Sequence, residues 1–188
     1  MKFQSLSNQF LVAMPTLEDP NFARTVTLIC QHDENGALGV TINRTVESLK
    51  INDILAQFSL PTPKSGNIGQ QPIYSGGPVH TELGLLLHKN LGDWQSTLVV
   101  SDELGLTSSR DVLEAISGSC GPEDCLLVLG YSGWGAGQLE WEIQQNTWLT
   151  VPAEINIIFD VLVEQRWTQA AASLGVDIAT LTGGVGHA

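Results

Sequence analysis

The spacing of hydrophobic positions changes several times along this chain, and each change marks a different element. Residues 10–14 form a short apolar run that Pro15 stops, and Asp19-Pro20 reads as a turn. Residues 25–30 (TVTLIC) are β-branched and alternate, which suits a strand with one buried face. Asp33-Glu34-Asn35-Gly36 then reads as a turn and residues 37–42 as the returning strand, so a β-hairpin is expected over residues 25–43. Ile51, Ile54, Leu55 and Phe58 recur at helical spacing and line one face of a short helix that Pro61 ends. Residues 61–71 are polar and read as an exposed loop. Strands are expected at residues 83–88 and 97–100, after the tight turn Gly76-Gly77-Pro78. Ser108 is expected to cap a helix whose apolar face is Val112, Leu113, Ala115 and Ile116 and which stops at Gly118.

Residues 125–129 are apolar throughout, which predicts a central strand covered on both faces. Leu139, Trp141 and Ile143 alternate like a strand, yet Leu139 and Ile143 also fit a helix, and periodicity leaves both open. A strand at residues 148–151 ends at Pro152. The last helix should carry Val163, Trp167, Ala170, Ala171 and Leu174 on one face and close at Gly175. Residues 182–188 are too rich in glycine to hold a helix and read as a flexible tail. Hairpins with interspersed helices, and no internal repeat, predict one α+β domain over residues 1–188.

Composition narrows the function classes. A chain with 43% hydrophobic and 15% charged residues can bury a core and is not of the disordered class. No apolar stretch approaches the roughly 20 residues that span a bilayer, so no membrane role is expected. The apolar run near the start is too short for a signal-peptide core, and three cysteines suit a reducing compartment, so the expected location is the cytoplasm. The formal net charge is −12, and no two of the eight basic residues are adjacent. Direct non-specific nucleic-acid binding is therefore not expected, because no cluster of cations neutralises phosphates. The acidity itself reads as solubility.

Candidate chemistry is sparse. Gly133-Trp134-Gly135-Ala136-Gly137 follows an apolar strand and imitates a dinucleotide fingerprint, but Gln138 stands where the third glycine belongs. There is no GxSxG frame, no phosphate-binding loop and no zinc-ligand spacing, so neither a cofactor nor a metal is expected. The histidines, His32, His80, His88 and His187, are far apart and read as structural. Asn43 and Arg44, Gly76 and Gly77, and Gly133, Trp134 and Gly135 would form an anion-binding hollow if these turns converge. Otherwise Arg44 pairs locally and the glycines only turn the chain. Trp134 and Trp167 are expected to be structural, Trp134 as a plug between glycines whose indole N–H needs a partner, and Trp167 on the apolar face of the last helix.

The same segments carry a likeness. Through QFLVAMPTLEDPNFARTVTLICQHDENGALGVTINR, YSGGPVHTELGLLLH, GYSGWGAGQLEWEI, TWLTVPAE, EQRW and the terminal GHA, the sequence resembles the bacterial YqgE/AlgH family essentially end to end. The resemblance implies a bent β-sheet folded into a pseudo-barrel with helices packed around it, in a cytosolic bacterial protein. It supplies no established activity, cofactor or catalytic residue. One branch is described as a transcriptional regulator; with this charge distribution such a role implies a protein partner or a small ligand. Thr45 stands where many members have proline, and His80 where many have an acid or amide. The expected function is a non-enzymatic regulatory or binding protein. The alternative is an enzyme or sensor for a small anionic ligand, using Arg44 and the amides of the glycine turns.

Overall fold

The apolar run that begins at Cys125 lies in the middle of the sheet, as residues without a solvent face require. The protein is described by a computed structural model covering residues 3–178 and 180–183. Its elements are β1 (Gln9–Ala13), β2 (Val26–Asp33), β3 (Gly36–Thr41), β4 (Thr45–Lys50), α1 (Ile51–Gln57), β5 (Pro72–Ser75), β6 (Val79–Lys89), β7 (Thr97–Val99), β8 (Leu104–Thr107), α2 (Arg110–Ser117), β9 (Cys125–Gly135), α3 (Gln138–Gln144), β10 (Trp148–Pro152), α4 (Ile155–Phe159) and α5 (Arg166–Ala172). The strands form one sheet in the order β10-β1-β2-β3-β9-β6-β8-β7, antiparallel throughout. The β4-β5 ribbon joins it through β5, which runs parallel to β9 with Tyr74 beside Val128. The sheet curls into a half-barrel, and the fold is α+β.

Alternation along the strands sorts side chains into three cores. Phe10 and Val12 of β1, Leu28 of β2, Leu85 and Leu87 of β6, and Leu126 and Val128 of β9 point into the curl. Ile157, Ile158, Ala170 and Ala171 of α4 and α5 close that side. The opposite faces are covered twice. Leu86, Cys125 and Leu127 pack against α1 and α2, while Leu11, Ala13, Ile29 and Trp134 pack against Leu139 of α3.

The expected β2-β3 hairpin is present, with Asp33 opposite Gly36 and a two-residue turn at Glu34-Asn35. Four local expectations need correction or completion. The helix α1 ends at Gln57, so Phe58 is its C-cap residue and 42% exposed instead of lying on the buried face. The residue at the start of α2 is Ser109, not Ser108; its backbone is extended, and its hydroxyl donates to the Asp111 carboxylate instead of accepting a backbone N–H of the first turn. Residues 138–144 are helical, with Leu139 buried and Trp141 on the solvent side, since i and i+4 share a helical face and i+2 does not. Leu174 lies beyond the end of α5 and is exposed.

Residues 61–71 are mostly exposed, with a short 3-10 turn at Ile68–Gln70 that buries Gly69. The tail expected at residues 182–188 lies outside the described residues from position 184 onward, and so does His187. Among the described residues no helix is long and apolar enough to cross a membrane.

Candidate functional site

The strand β9 runs on past its apolar half through Ser132, Gly133, Trp134 and Gly135. The glycine pattern is therefore the end of a paired strand, with Ala37 opposite Trp134 and Leu38 opposite Gly133, and not a phosphate-binding loop. Ser132 and Trp134 are two residues apart and share a face. Gly137, at φ +73°, turns the chain into α3, whose Gln138 and Glu142 are four residues apart and face the same way.

Glu142 organises the centre of this region. One carboxylate oxygen accepts the Trp134 indole N–H at 2.9 Å and the Trp148 indole N–H at 2.8 Å. The other accepts the Gln138 amide at 2.9 Å, and the Gln138 carbonyl in turn accepts the Gly135 backbone N–H at 3.0 Å. Trp134 and Trp148 are 6% and 4% exposed and meet edge to face, with ring centroids 6.4 Å apart. Phe22 meets Trp148 in the same manner at 5.5 Å. Trp134 is thus the bonded plug its flanking glycines suggested. The Trp167 N–H likewise donates to the Ala13 carbonyl at 2.9 Å.

These rings line a recess of about 360 Å³ between the β1–β2 loop, the β5–β6 turn, the end of β9 and α3. Asp19, Pro78, Val79 and Thr147 complete much of its margin. Ser132 also lines it; the residue is 1% exposed, and its hydroxyl has no hydrogen-bond partner among the described residues. Buried hydroxyls nearly always have partners, so this one marks the site.

Of the seven residues singled out from the sequence, Gly133 and Trp134 line this recess, and the other five support the elements that frame it. The guanidinium of Arg44 donates to the carbonyls of Pro20 at 2.6 Å, Asn21 at 3.0 Å and Ala23 at 2.9 Å. Asn43 donates to the Arg24 carbonyl at 2.9 Å and accepts the Val26 N–H at 2.7 Å. Together they pin the loop that presents Asp19 and Phe22. A Cβ on Gly76 would collide with the Gly130 carbonyl, and one on Gly77 with the Tyr131 carbonyl, so only glycine lets this turn lie against β9. Gly133 and Trp134 line the recess itself, and Gly135 holds Gln138. Sequence reasoning missed Ser132, Glu142, Trp148, Phe22 and Asp19. The two-residue spacing of Ser132 and Trp134 was a usable signal; nothing local tied Phe22 or Asp19 to them.

The remaining reactive groups are engaged elsewhere. His32 is buried, accepts the Leu6 N–H on Nδ1 at 2.9 Å and donates from Nε2 to Glu140 at 3.0 Å. His88 is buried against Thr107, and His80 is exposed beside Glu82. Burial pushes the thiols of Cys30 and Cys125 up to about 12, the Asp124 charge adding to the effect at Cys125. Among the described residues no group of three or more His, Cys, Asp or Glu is placed to hold a metal ion.

The pattern of the AlgH-like family matches residues 10–179 of the chain. The chain belongs to this AlgH-like family. A UPF0301 protein of Methylococcus capsulatus is 52% identical over 182 residues, covering 97% of this chain and 96% of its own. One from Xanthomonas campestris is 48% identical over 183 residues with the same coverage. The solution structure of the AlgH protein from Pseudomonas aeruginosa is similar over the full length of both chains, with a TM-score of 0.78 and 46% identity. A crystal structure of a protein from Corynebacterium diphtheriae shares the fold at a TM-score of 0.74 and 19% identity, covering 96% of this chain and 93% of that one. The resemblance read from the motifs is therefore the family, and the AlgH-like fold is the curled half-barrel described above.

Proposed function

We propose that this AlgH-like protein is a cytoplasmic, non-enzymatic binding protein of regulatory type, which works by capturing a ligand or a partner's side chain in the Trp134–Trp148 recess. The observation that carries this reading is the unpartnered Ser132 hydroxyl at a ring-lined hollow. A buried hydroxyl left without a partner costs about 1–3 kcal/mol. Keeping such a cost at a pocket is the usual signature of a group reserved for a ligand. The recess has no His, Lys or Cys among its lining residues, and the Glu142 oxygens already accept three hydrogen bonds, so binding is favoured over catalysis. The small-anion alternative is weakened because the Arg44 guanidinium is engaged by three carbonyls. Three free cysteines support a reducing compartment. Any effect on transcription would run through a partner, since a chain of net charge −12 repels nucleic acid.

The test is Ser132→Ala, followed by denaturant unfolding and by capture from native lysate with metabolites and proteins both read out. Folding stability should be unchanged or raised by up to about 1 kcal/mol, while at least one species retained by the natural protein is lost. A stability loss above about 1 kcal/mol would make the hydroxyl structural and remove the reading's main support.

A further inference from the structure

We propose that the group recognised by the recess is an alkylammonium bearing at least one N–H, carried on a short apolar stem; this rests on the recess being the binding site. Three aromatic rings, Phe22, Trp134 and Trp148, stand with two carboxylates, Asp19 and Glu142, around one hollow that has no Lys, Arg or His in its lining. Aromatic walls attract cations through their ring quadrupoles, and repel anions for the same reason.

Among the described residues neither carboxylate is in an ion pair, and the Asp19 carboxylate accepts only the neutral Asn21 backbone N–H at 2.8 Å. The ion pairs among the described residues are His32 with Glu140, His80 with Glu82 and Arg110 with Glu114. Glu142 accepts from two indoles and one amide, all neutral, so one of its roughly four acceptor positions is left and its charge is not balanced. A neutral ligand seated here would strip water from that charge and give nothing back, whereas a cation would compensate it. The overall charge of −12 adds a long-range pull of the same sign.

Ser132 refines the class. It lines the same hollow, and its hydroxyl oxygen, buried and without a partner among the described residues, is free to accept one N–H from the ammonium. A quaternary ammonium has no N–H to give, so primary and partly methylated ammonium groups are preferred. A free amine and a lysine side chain of a partner present the same head and stem.

The probes are n-butylammonium, n-butanol, pentanoate and a capped Gly-Lys-Gly peptide, titrated against the full chain while the indole N–H resonances of Trp134 and Trp148 are followed by NMR. Butylammonium should move both signals saturably, with butanol and pentanoate at least about fivefold weaker. Glu142→Gln should weaken butylammonium about tenfold, the effect of a partly buried charged partner. Asp19→Asn, at an exposed position and with an Oδ1 that can still accept the Asn21 N–H, should weaken it about two- to fivefold. Tighter binding by the peptide than by butylammonium assigns the source to a protein lysine, and the reverse to a free amine. Equal binding of pentanoate, or no effect of Asp19→Asn, overturns the ammonium class while leaving the recess a binding site. No movement of either indole signal by any probe or by lysate metabolites overturns both.

Discussion

The two halves of β9 floor two hollows of nearly equal size and opposite character. Leu127 and Leu129 lie beneath a groove of about 380 Å³ between α1 and α2, and Ser132, Gly133 and Trp134 beneath the recess of about 360 Å³. The strand changes character at Gly130, whose φ of +72° lets the β5–β6 turn cross it; a Cβ there would run into the carbonyls of Gly77 and Val79. On the groove side the walls are aliphatic, chiefly Ile54, Leu86, Val112 and Leu113. None of its lining residues holds a buried polar atom without a partner: Thr107 bonds His88 and Thr97, Ser109 bonds Asp111, and Arg110 pairs with Glu114. Among the described residues the recess keeps a buried hydroxyl without a partner and two carboxylates outside any ion pair. Asn8, Asn52 and Trp94 also hold buried polar atoms without partners, but none of these residues lines either hollow. Size alone does not mark a site; unsatisfied chemistry at a hollow does.

The largest test of this contrast removes one aromatic wall from each side. Trp148 is buried and bonded, so Trp148→Ala should cost about 3–5 kcal/mol through lost burial and a residual cavity. Phe58, at the mouth of the groove and 42% exposed, should lose no more than about 1 kcal/mol on replacement by Ala. Denaturant unfolding gives both values, and equal losses would break the distinction between a built wall and an exposed rim.

A smaller effect separates the two arginines. Arg44→Ala removes three hydrogen bonds to carbonyls of the β1–β2 loop and should cost about 1–3 kcal/mol. Hydrogen exchange should speed up at Phe22 and Ala23, whose amides bond Asp19 within that loop. Arg110→Ala at the groove breaks an exposed i,i+4 pair and should cost about 0.3–0.5 kcal/mol. Unchanged exchange in the loop after Arg44→Ala would mean that the loop does not depend on this anchor.

The smallest effect is a dependence on pH at His88, whose partner Thr107 lines the groove. Burial holds the His88 imidazole below its ordinary 6.5, more strongly than the Asn90 and Lys89 carbonyls raise it. The folded state thus prefers neutral His88, while the unfolded chain takes up the proton first as pH falls. The stability contributed is fully present above about 6.5 and is lost as pH drops through that value toward the lower folded one. Unfolding midpoints at pH 7.5 and 5.5 should show the loss, and His88→Gln should flatten it. An unchanged slope in the variant would assign the pH dependence elsewhere.

Much of the architecture was legible because it depends on local rules. The β2-β3 hairpin, the central position of residues 125–129 and the strand at Trp148 follow from alternation, apolar runs and turn residues. The errors fell at helix ends, where Phe58, Ser109 and Leu174 differ from neighbouring positions by a single turn of backbone that propensity does not resolve. Of the residues singled out from the sequence, Gly133 and Trp134 line the recess, while the glycine pair and the Asn-Arg pair were conspicuous as turn residues. Their roles were not readable, because whether Arg44 meets a ligand or three carbonyls depends on a loop more than 20 positions earlier.

By itself, then, the sequence determined the elements, the sorting of side chains between faces, and an acidic chain with a family likeness through its motifs. Each of these rests on spacing between near neighbours or on composition. Only the tertiary structure decided that Ser132 is buried without a partner, that Glu142 is held by two tryptophans from different strands, and that Phe22 and Asp19 complete the same hollow. Those facts depend on contacts between segments up to about 130 residues apart, whose geometry is fixed by the packing of the whole sheet and not by any one stretch of it.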